Sequence, residues 1–436
     1  MCDTIDAVLA FGEVYGGDAL WECVARPFEE YSKKFSYLGE DAMSKHQRHD
    51  DARIGRRTFL KGMLATAGLA ACGTEAAAVY DPETAPRKMR GYYSLAESPF
   101  FKLENGRLIN TIKNFPPAID FHGHLGFWVG WNKDNLSERG TSMKYLMDCD
   151  NTEDCHLDLD VYLNYMASEQ MLKEIETTLI SGPVTQKGPI RSHTPLNYVQ
   201  ELDEMKFDKA VLLPLKMGRS VKEMIGLDLG DEDDMEKRWL RSLDDTQQHD
   251  RFEVYTSVNV DEEGWLDGLE AAAARGAKGI KVHPVMQRIA PNSDEAMDLF
   301  NHCARLKLDV FFHAGRAGIE PPEMAPFAQM ENYIAPLEEF KDIQFIFGHA
   351  GARDWGEAFA IAKEYPNVWM ELAGPSIPAL EQMVEEFDND RIIFGSDWPF
   401  YPIAASLIKV LHVAHGDDGL RDAILSDNAR RLLRLS

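Results

Sequence analysis

From Ala118 to Asp397 the chain alternates short apolar runs with amphipathic stretches, and this alternation restricts its fold more than any other feature. The runs are AIDFHG (118–123), KAVLLPL (209–215), FEVYTSVNV (252–260), AKGIKVH (277–283), LDVFFHA (308–314), IQFIFGH (343–349), NVWMELA (367–373) and RIIFGSD (391–397). Short runs rich in Val, Ile and Phe that stop at Gly, Pro or Asp read as buried strands of parallel type. Between them EGWLDGLEAAAARG, DEAMDLFNHCARLK, WGEAFAIAKEY and IPALEQMVEEF carry helical periodicity, with Gly276 placed as a C-terminal stop. Strand and helix in alternation make βα units, and eight strands predict an α/β fold, a (β/α)8 TIM barrel over residues 115–436.

The spacing is uneven. The first run ends at Gly123 and the second begins at Lys209, so roughly Leu125 to Phe207 is excess. In a barrel that excess is a large helical insertion after strand one, on the catalytic face. Its segment LDVYLNYMASEQMLKEIETTLISG reads as a long helix, and Trp128 and Trp131 before it are candidate pocket aromatics. A substrate lid, a partner surface and a stabilising cap all suit such an insertion.

Five of the runs end in a residue able to bind a metal ion, which makes His122, His124, His283, His313, His349 and Asp397 candidates. The two histidines of FHGH are two residues apart, so on a strand both rings face the same side, with Asp120 behind them. Neutral imidazoles suit Zn, Fe(II), Mn or Co, and a third imidazole plus a carboxylate complete a set that leaves room for water. His313 and Asp397 fill those places best, each at a strand end before small or turn-forming residues.

These residues resemble the amidohydrolase superfamily: HxH at strand one (His122, His124), His at strands five and six (His313, His349) and Asp at strand eight (Asp397). The branch that the chain resembles most is the amidohydrolase-related group that includes aminocarboxymuconate semialdehyde decarboxylase and pyrone dicarboxylate lactonase. KGIKVHP, FGHAG, FGSDWPF and the closing ILSDNARRLLRL support the likeness, which covers about residues 115 to 436. The resemblance implies that His122, His124, His313 and Asp397 hold one divalent ion, zinc first and Mn, Fe or Co next, with His349 near its water. A bound divalent cation lowers the pKa of its water and polarises a substrate oxygen. Asp397 then shuttles the proton while His349 orients the nucleophile or stabilises charge.

Lys281 and His283 share a strand face by the same period-two rule. In some branches a carboxylated lysine at strand four bridges two metals; here His283 is read as a substrate contact or a support behind the ligands, and Lys281 as structural. Arg316 and Arg353 follow two site histidines by a few residues. Their guanidinium groups suit a carboxylate-bearing substrate, or salt bridges with neighbours such as Glu320 and Asp354.

The front of the chain carries a different signal. Arg56 and Arg57 open RRTFLKG, an apolar run follows from Met63 to Ala71, and LAAC-G closes it at Cys72 and Gly73. The run is too short for a permanent membrane span. It resembles a bacterial Tat signal with a lipobox, in which Cys72 is lipidated after cleavage. On that reading residues 43–72 are an export signal, 1–42 a doubtful leader and 73–114 a tether and lead-in. The protein would then be periplasmic or membrane-anchored through its lipid, and cytoplasmic if residues 1–42 are genuine and block export.

A formal charge of −26, from 72 acidic against 46 basic residues, disfavours nucleic acid and anionic bilayers as partners. The local acidic run from Asp228 to Arg238 reads as a solvated loop and helix start rather than a calcium site. Among six cysteines no C-x2-C zinc pattern exists, and Cys303 falls on a helical apolar face as a buried thiol. Cys149 and Cys155 close a disulfide loop or stay free; spacing leaves both open. Together the features predict a metal-dependent hydrolase of a small-molecule ester, lactone or amide. The alternatives are a metal-dependent decarboxylase of an aromatic or unsaturated carboxylic acid and a non-catalytic ligand-binding lipoprotein.

Overall fold

The computed structural model describes residues 80–82, 85, 88–89, 92–126, 136–139, 145, 157–158, 193–216, 235–317, 320 and 323–435. Cys72, Trp128, Trp131, Cys149, Cys155 and the long helix expected in the insertion lie outside these residues, as does the export signal.

Each of the eight apolar runs forms a strand. They are β1 (Ala118–Gly123), β2 (Phe207–Leu212), β3 (Phe252–Val254), β4 (Gly279–Val282), β5 (Asp309–His313), β6 (Phe345–Gly348), β7 (Val368–Glu371) and β8 (Ile392–Ile393). β1, β2 and β3 pair in parallel, as do β4 through β8 in chain order. Two parallel bridges join these sheets: Thr256 to Ile280 between β3 and β4, and Gly123 to Trp398 between β1 and the residues after β8. Phe121 N–H donates to Phe394 O at 2.9 Å and His124 N–H to Trp398 O at 2.7 Å across the second joint. The ring is therefore closed, a TIM barrel without free sheet edges.

Helices cover the outside as the patterns predict. They are α1 (Pro195–Met205), α2 (Met235–Thr246), α3 (Trp265–Ala274), α4 (Asp294–Leu306), α5 (Trp355–Glu364), α6 (Ile377–Glu386) and α7 (Ile403–Val413). Side chains of Thr194, Ser293 and Ser376 accept backbone N–H groups at the starts of α1, α4 and α6, which replaces hydrogen bonds the first turn lacks. Gly276 sits at φ +98° just after α3, the left-handed turn that glycine tolerates. α1 belongs to the first βα unit, so the excess after β1 ends before Thr194 rather than at Phe207.

Inward-facing residues fill the barrel. Ile119, Phe121, Val211, Tyr255, Phe311 and Trp369 belong to one cluster with Ala429, Leu432 and Leu433 of the C-terminal segment. The Phe121 and Phe311 rings lie nearly parallel with centroids 6.2 Å apart, so the interior is packed rather than open. Before β1, Phe101–Glu104 and Arg107–Asn110 form an antiparallel hairpin that packs Leu108 into the main core. Among the described residues no helix is long and apolar enough to cross a membrane.

Candidate functional site

His122 and His124 project from the end of β1 and are buried, with ring centroids 5.2 Å apart. Hydrogen bonds at the far side of each ring fix what faces the site. His124 Nδ1–H donates to Leu213 O at 2.8 Å, and His122 Nδ1–H donates to Glu371 Oε2 at 3.0 Å. A neutral imidazole whose Nδ1 donates has its lone pair on Nε2. Both Nε2 atoms face Asp397 Oδ1, at 3.3 Å from His122 and 3.1 Å from His124.

Asp397 lies just past β8 at φ +62°, a conformation that L residues adopt at a cost. His349 follows β6 at φ +56° and begins a run of positive φ through Ala352. Its Nδ1–H donates to Ala373 O at 2.9 Å, so its Nε2 accepts from His313 Nδ1–H at 3.1 Å. His313 Nε2 is then a buried lone pair with no hydrogen-bond partner among the described residues. His283 stacks on His313 with centroids 4.1 Å apart and rings nearly parallel, while its Nδ1 accepts Met286 N–H at the start of a short helix.

Donor atoms of His122, His349 and Asp397 all lie within 4.8 Å of one another. His124 reaches this group through Asp397, and His313 through His349. The compact set therefore includes His349, which was expected beside the water. Lys281 was read as structural, yet its Nζ lies 3.5 Å from His122 Nε2 and 4.3 Å from the Phe311 ring centre.

At His122, His283, His313 and His349 the electrostatics favour a neutral ring. Burial, reinforced by Lys281 and neighbouring histidines, holds His122 well below the usual imidazole range. Burial followed by the facing His283 does the same for His313, and burial followed by Lys281 does so for His283. His349 falls to about 4, burial outweighing the pull of Asp397. Lys281 drops to about 8 through burial, opposed by Asp397 and Glu371.

The Nε2 atoms of His122 and His124 thus converge on one carboxylate oxygen. Lys281 brings one positive charge beside His122, and the buried Nε2 of His313 still has no hydrogen-bond partner among the described residues. Imidazole nitrogens and a carboxylate are the donor chemistry of Zn, Mn, Fe(II) and Co. The residues present fit a divalent ion.

A buried polar framework holds these groups. Asp120 accepts His122 N–H at 3.2 Å, Ser396 N–H at 2.8 Å, the Ser396 hydroxyl, and the Tyr198 hydroxyl at 2.7 Å. Burial still raises its carboxyl to about 6 against those donors. Glu201 accepts from Trp398 Nε1–H at 2.9 Å, Tyr145 OH at 2.7 Å and Ile403 N–H at 2.8 Å. Glu371, Tyr198 and Glu201 were not among the expected site residues. The available signal was a carboxylate inside an otherwise apolar strand, as in VWME, or one midway along a helix, three residues after a tyrosine, as in PLNYVQELDEM.

The two arginines part company. Arg316 is held by Asp354, its Nε–H donating to both carboxylate oxygens at 3.1 and 2.9 Å. Arg353, at the end of the turn that begins with His349, is exposed.

The sequence model of the family described as Amidohydrolase matches residues 230–435. No curated protein matches the chain. Among solved structures, 5-carboxyvanillate decarboxylase from Sphingomonas paucimobilis aligns over 73% of this chain and 99% of its own, with 13% identity and a TM-score of 0.50. A probable 2-pyrone-4,6-dicarboxylic acid hydrolase from Acinetobacter baumannii aligns over 73% of this chain and 100% of its own, with 15% identity and a TM-score of 0.46. At such identities the first likeness is one of fold, and the second adds no further argument.

Proposed function

Starting from the amidohydrolase-related barrel that this chain carries, we propose that it is a metal-dependent hydrolase of a small-molecule ester, lactone or amide. The observation that carries the reading is the convergence of the His122 and His124 Nε2 atoms on Asp397 Oδ1, with His349 in the same donor group. A divalent ion held by His122, His349 and Asp397, with His124 and His313 beside them, supplies Lewis-acid polarisation of a carbonyl oxygen and acidifies a water. Zinc is proposed first, since neutral imidazoles with one carboxylate suit it; Mn, Fe(II) and Co suit the same donors.

Asp397 takes the proton that the attacking water loses and returns it to the leaving oxygen or nitrogen. His349 stays neutral, pinned at Nδ1 by Ala373 O, and would offer its one lone pair, at Nε2, to the ion in place of the His313 Nδ1–H that it accepts here. Lys281 adds positive charge to the same wall. His283, stacked on His313, and the aromatic Trp128 are proposed as substrate contacts. Arg353 is proposed for a substrate carboxylate, with Arg316 acting through its bond to Asp354.

Elemental analysis of the purified chain is expected to find about one divalent ion per molecule. Asp397→Asn is expected to keep the fold and lose roughly 10²- to 10⁴-fold in turnover, the usual share of a proton-transfer group. The assay uses lactones, esters and aromatic carboxylic acids with carbon dioxide monitored. Carbon dioxide without carbonyl hydrolysis would replace the hydrolase by a decarboxylase built on the same residues. One bound ion with no turnover on any substrate would leave a ligand-binding protein.

Export belongs to the same proposal. Membrane-fraction labelling that disappears in Cys72→Ala supports the lipid anchor, and unchanged labelling removes it.

A further inference from the structure

We propose that Glu371 is a positioning residue: its carboxylate fixes the His122 ring and the backbone turn that carries His349 so that both present Nε2 to a divalent cation. The proposal rests on the reading of His122, His349 and Asp397 as donors to that cation. β7 supplies no expected ligand, yet its last residue touches two of the segments that do.

Glu371 is fully buried, and both its oxygens are engaged. Oε2 accepts His122 Nδ1–H at 3.0 Å and His349 N–H at 2.9 Å, while Oε1 accepts Ala373 N–H at 2.6 Å. One side chain thereby ties the end of β1 to the turn after β6 and to its own strand end. Two residues on, Ala373 O accepts His349 Nδ1–H, so β7 holds His349 by backbone and by ring. The neighbouring strand makes room for this: a Cβ on Gly395 would lie 1.8 Å from Glu371 Oε1 and 2.8 Å from His122 Cβ.

The chemistry follows from the donor count. An imidazole that gives its Nδ1–H to a carboxylate keeps its lone pair at Nε2, gains basicity and cannot turn. A glutamine in this place has one oxygen for three N–H donors, and its own NH2 would face one of them. The His349 turn, at φ +56° and so costly on its own, would lose one of its two holds.

The test uses the full metal-free chain, zinc alone as probe, and two readouts. Competition with a chromophoric chelator gives zinc affinity, and 15N NMR of the imidazole gives the His122 tautomer. The wild type is expected to hold one zinc and to show His122 protonated at Nδ1. Glu371→Gln is expected to bind zinc about 10- to 100-fold more weakly, the usual effect of losing such a carboxylate behind a ligand. Asp309→Asn, which removes a buried carboxylate paired with Arg434 at the other end of the barrel, is expected to lower stability and leave zinc affinity unchanged.

A wild type that binds one zinc while Glu371→Gln binds it equally well would overturn the positioning role alone. A wild type that binds no zinc would overturn the donor reading and the proposal with it. If Glu371→Gln does not fold, the wild-type tautomer decides: His122 protonated at Nε2 would reject the proposal.

Discussion

The indole of Trp398 lies flat on the ring of Tyr198, with centroids 4.2 Å apart and planes 5° from parallel. Trp398 directly follows Asp397, and the Tyr198 hydroxyl donates to Asp120 behind His122. The stack therefore joins the two ends of the donor set through α1. Tyr198→Phe keeps the stack and removes one donor from a buried carboxylate, with an expected cost of about 1–3 kcal/mol in unfolding free energy. Tyr198→Ala also leaves a cavity and is expected to cost about 3–5 kcal/mol. Urea denaturation of both variants checks the order, and equal losses would remove the hydrogen bond from the account.

Glu201 gives the metal-free chain a pH dependence. Burial raises its carboxyl from 4.5 to about 7, against the Tyr145, Ile403 and Trp398 donors that pull it down. The folded state thus keeps a proton that the unfolded chain releases. Its contribution is fully present below pH 4.5, declines as pH rises from there to about 7, and is absent above. The difference is on the order of 3 kcal/mol. Glu201→Gln is expected to flatten that part of the stability profile, measured by denaturation of wild type and variant at several pH values. Parallel profiles would count against it.

Gly315 and Gly351 bring the turns after β5 and β6 together. A Cβ on Gly315 would meet Gly351 O at 2.1 Å, and Gly315 sits at φ +70°. Gly315→Ala is expected to destabilise by about 2–4 kcal/mol, combining the left-handed penalty with overpacking. Because His313 and His349 flank the two turns, zinc affinity should fall as well. Thermal melting with zinc titration checks both.

Arg316 and Arg353 should separate experimentally. Arg316→Ala removes the partner of the buried Asp354, so a measurable loss of stability is expected. Arg353→Ala is expected to stay within about 0.5 kcal/mol of wild type. On a carboxylate-bearing substrate Arg353→Ala should instead raise KM. Denaturation midpoints and steady-state kinetics on the same preparations distinguish them, and an unchanged KM would release Arg353 from the substrate role.

The barrel was legible because its strands advertise themselves: a run such as DVFFH has no other stable place than a sheet covered on both faces. The paired histidines were legible too, since a two-residue spacing on a strand puts both rings on one side. Contacts made only by closure were not. Nothing local in VWME says that its carboxylate will reach a histidine of β1 across the interior, or that Lys281 will lie beside the same ring. The prominence of His349 in the donor group depends on a left-handed backbone at a residue other than glycine, which propensity does not foretell. Tyr198 and Trp398 are far apart in sequence and meet only when α1 packs over the joint of β1 with β8.

That joint has a bearing on how the molecule matures. Gly123 pairs with Trp398, so the first and last staves of the cylinder meet where the histidines of one face the aspartate of the other. A nascent chain still lacking its eighth stave has no Asp397 for those two imidazoles to face. An ion held by His122 and Asp397, as proposed, would favour the closed form and so act as a clasp across the seam.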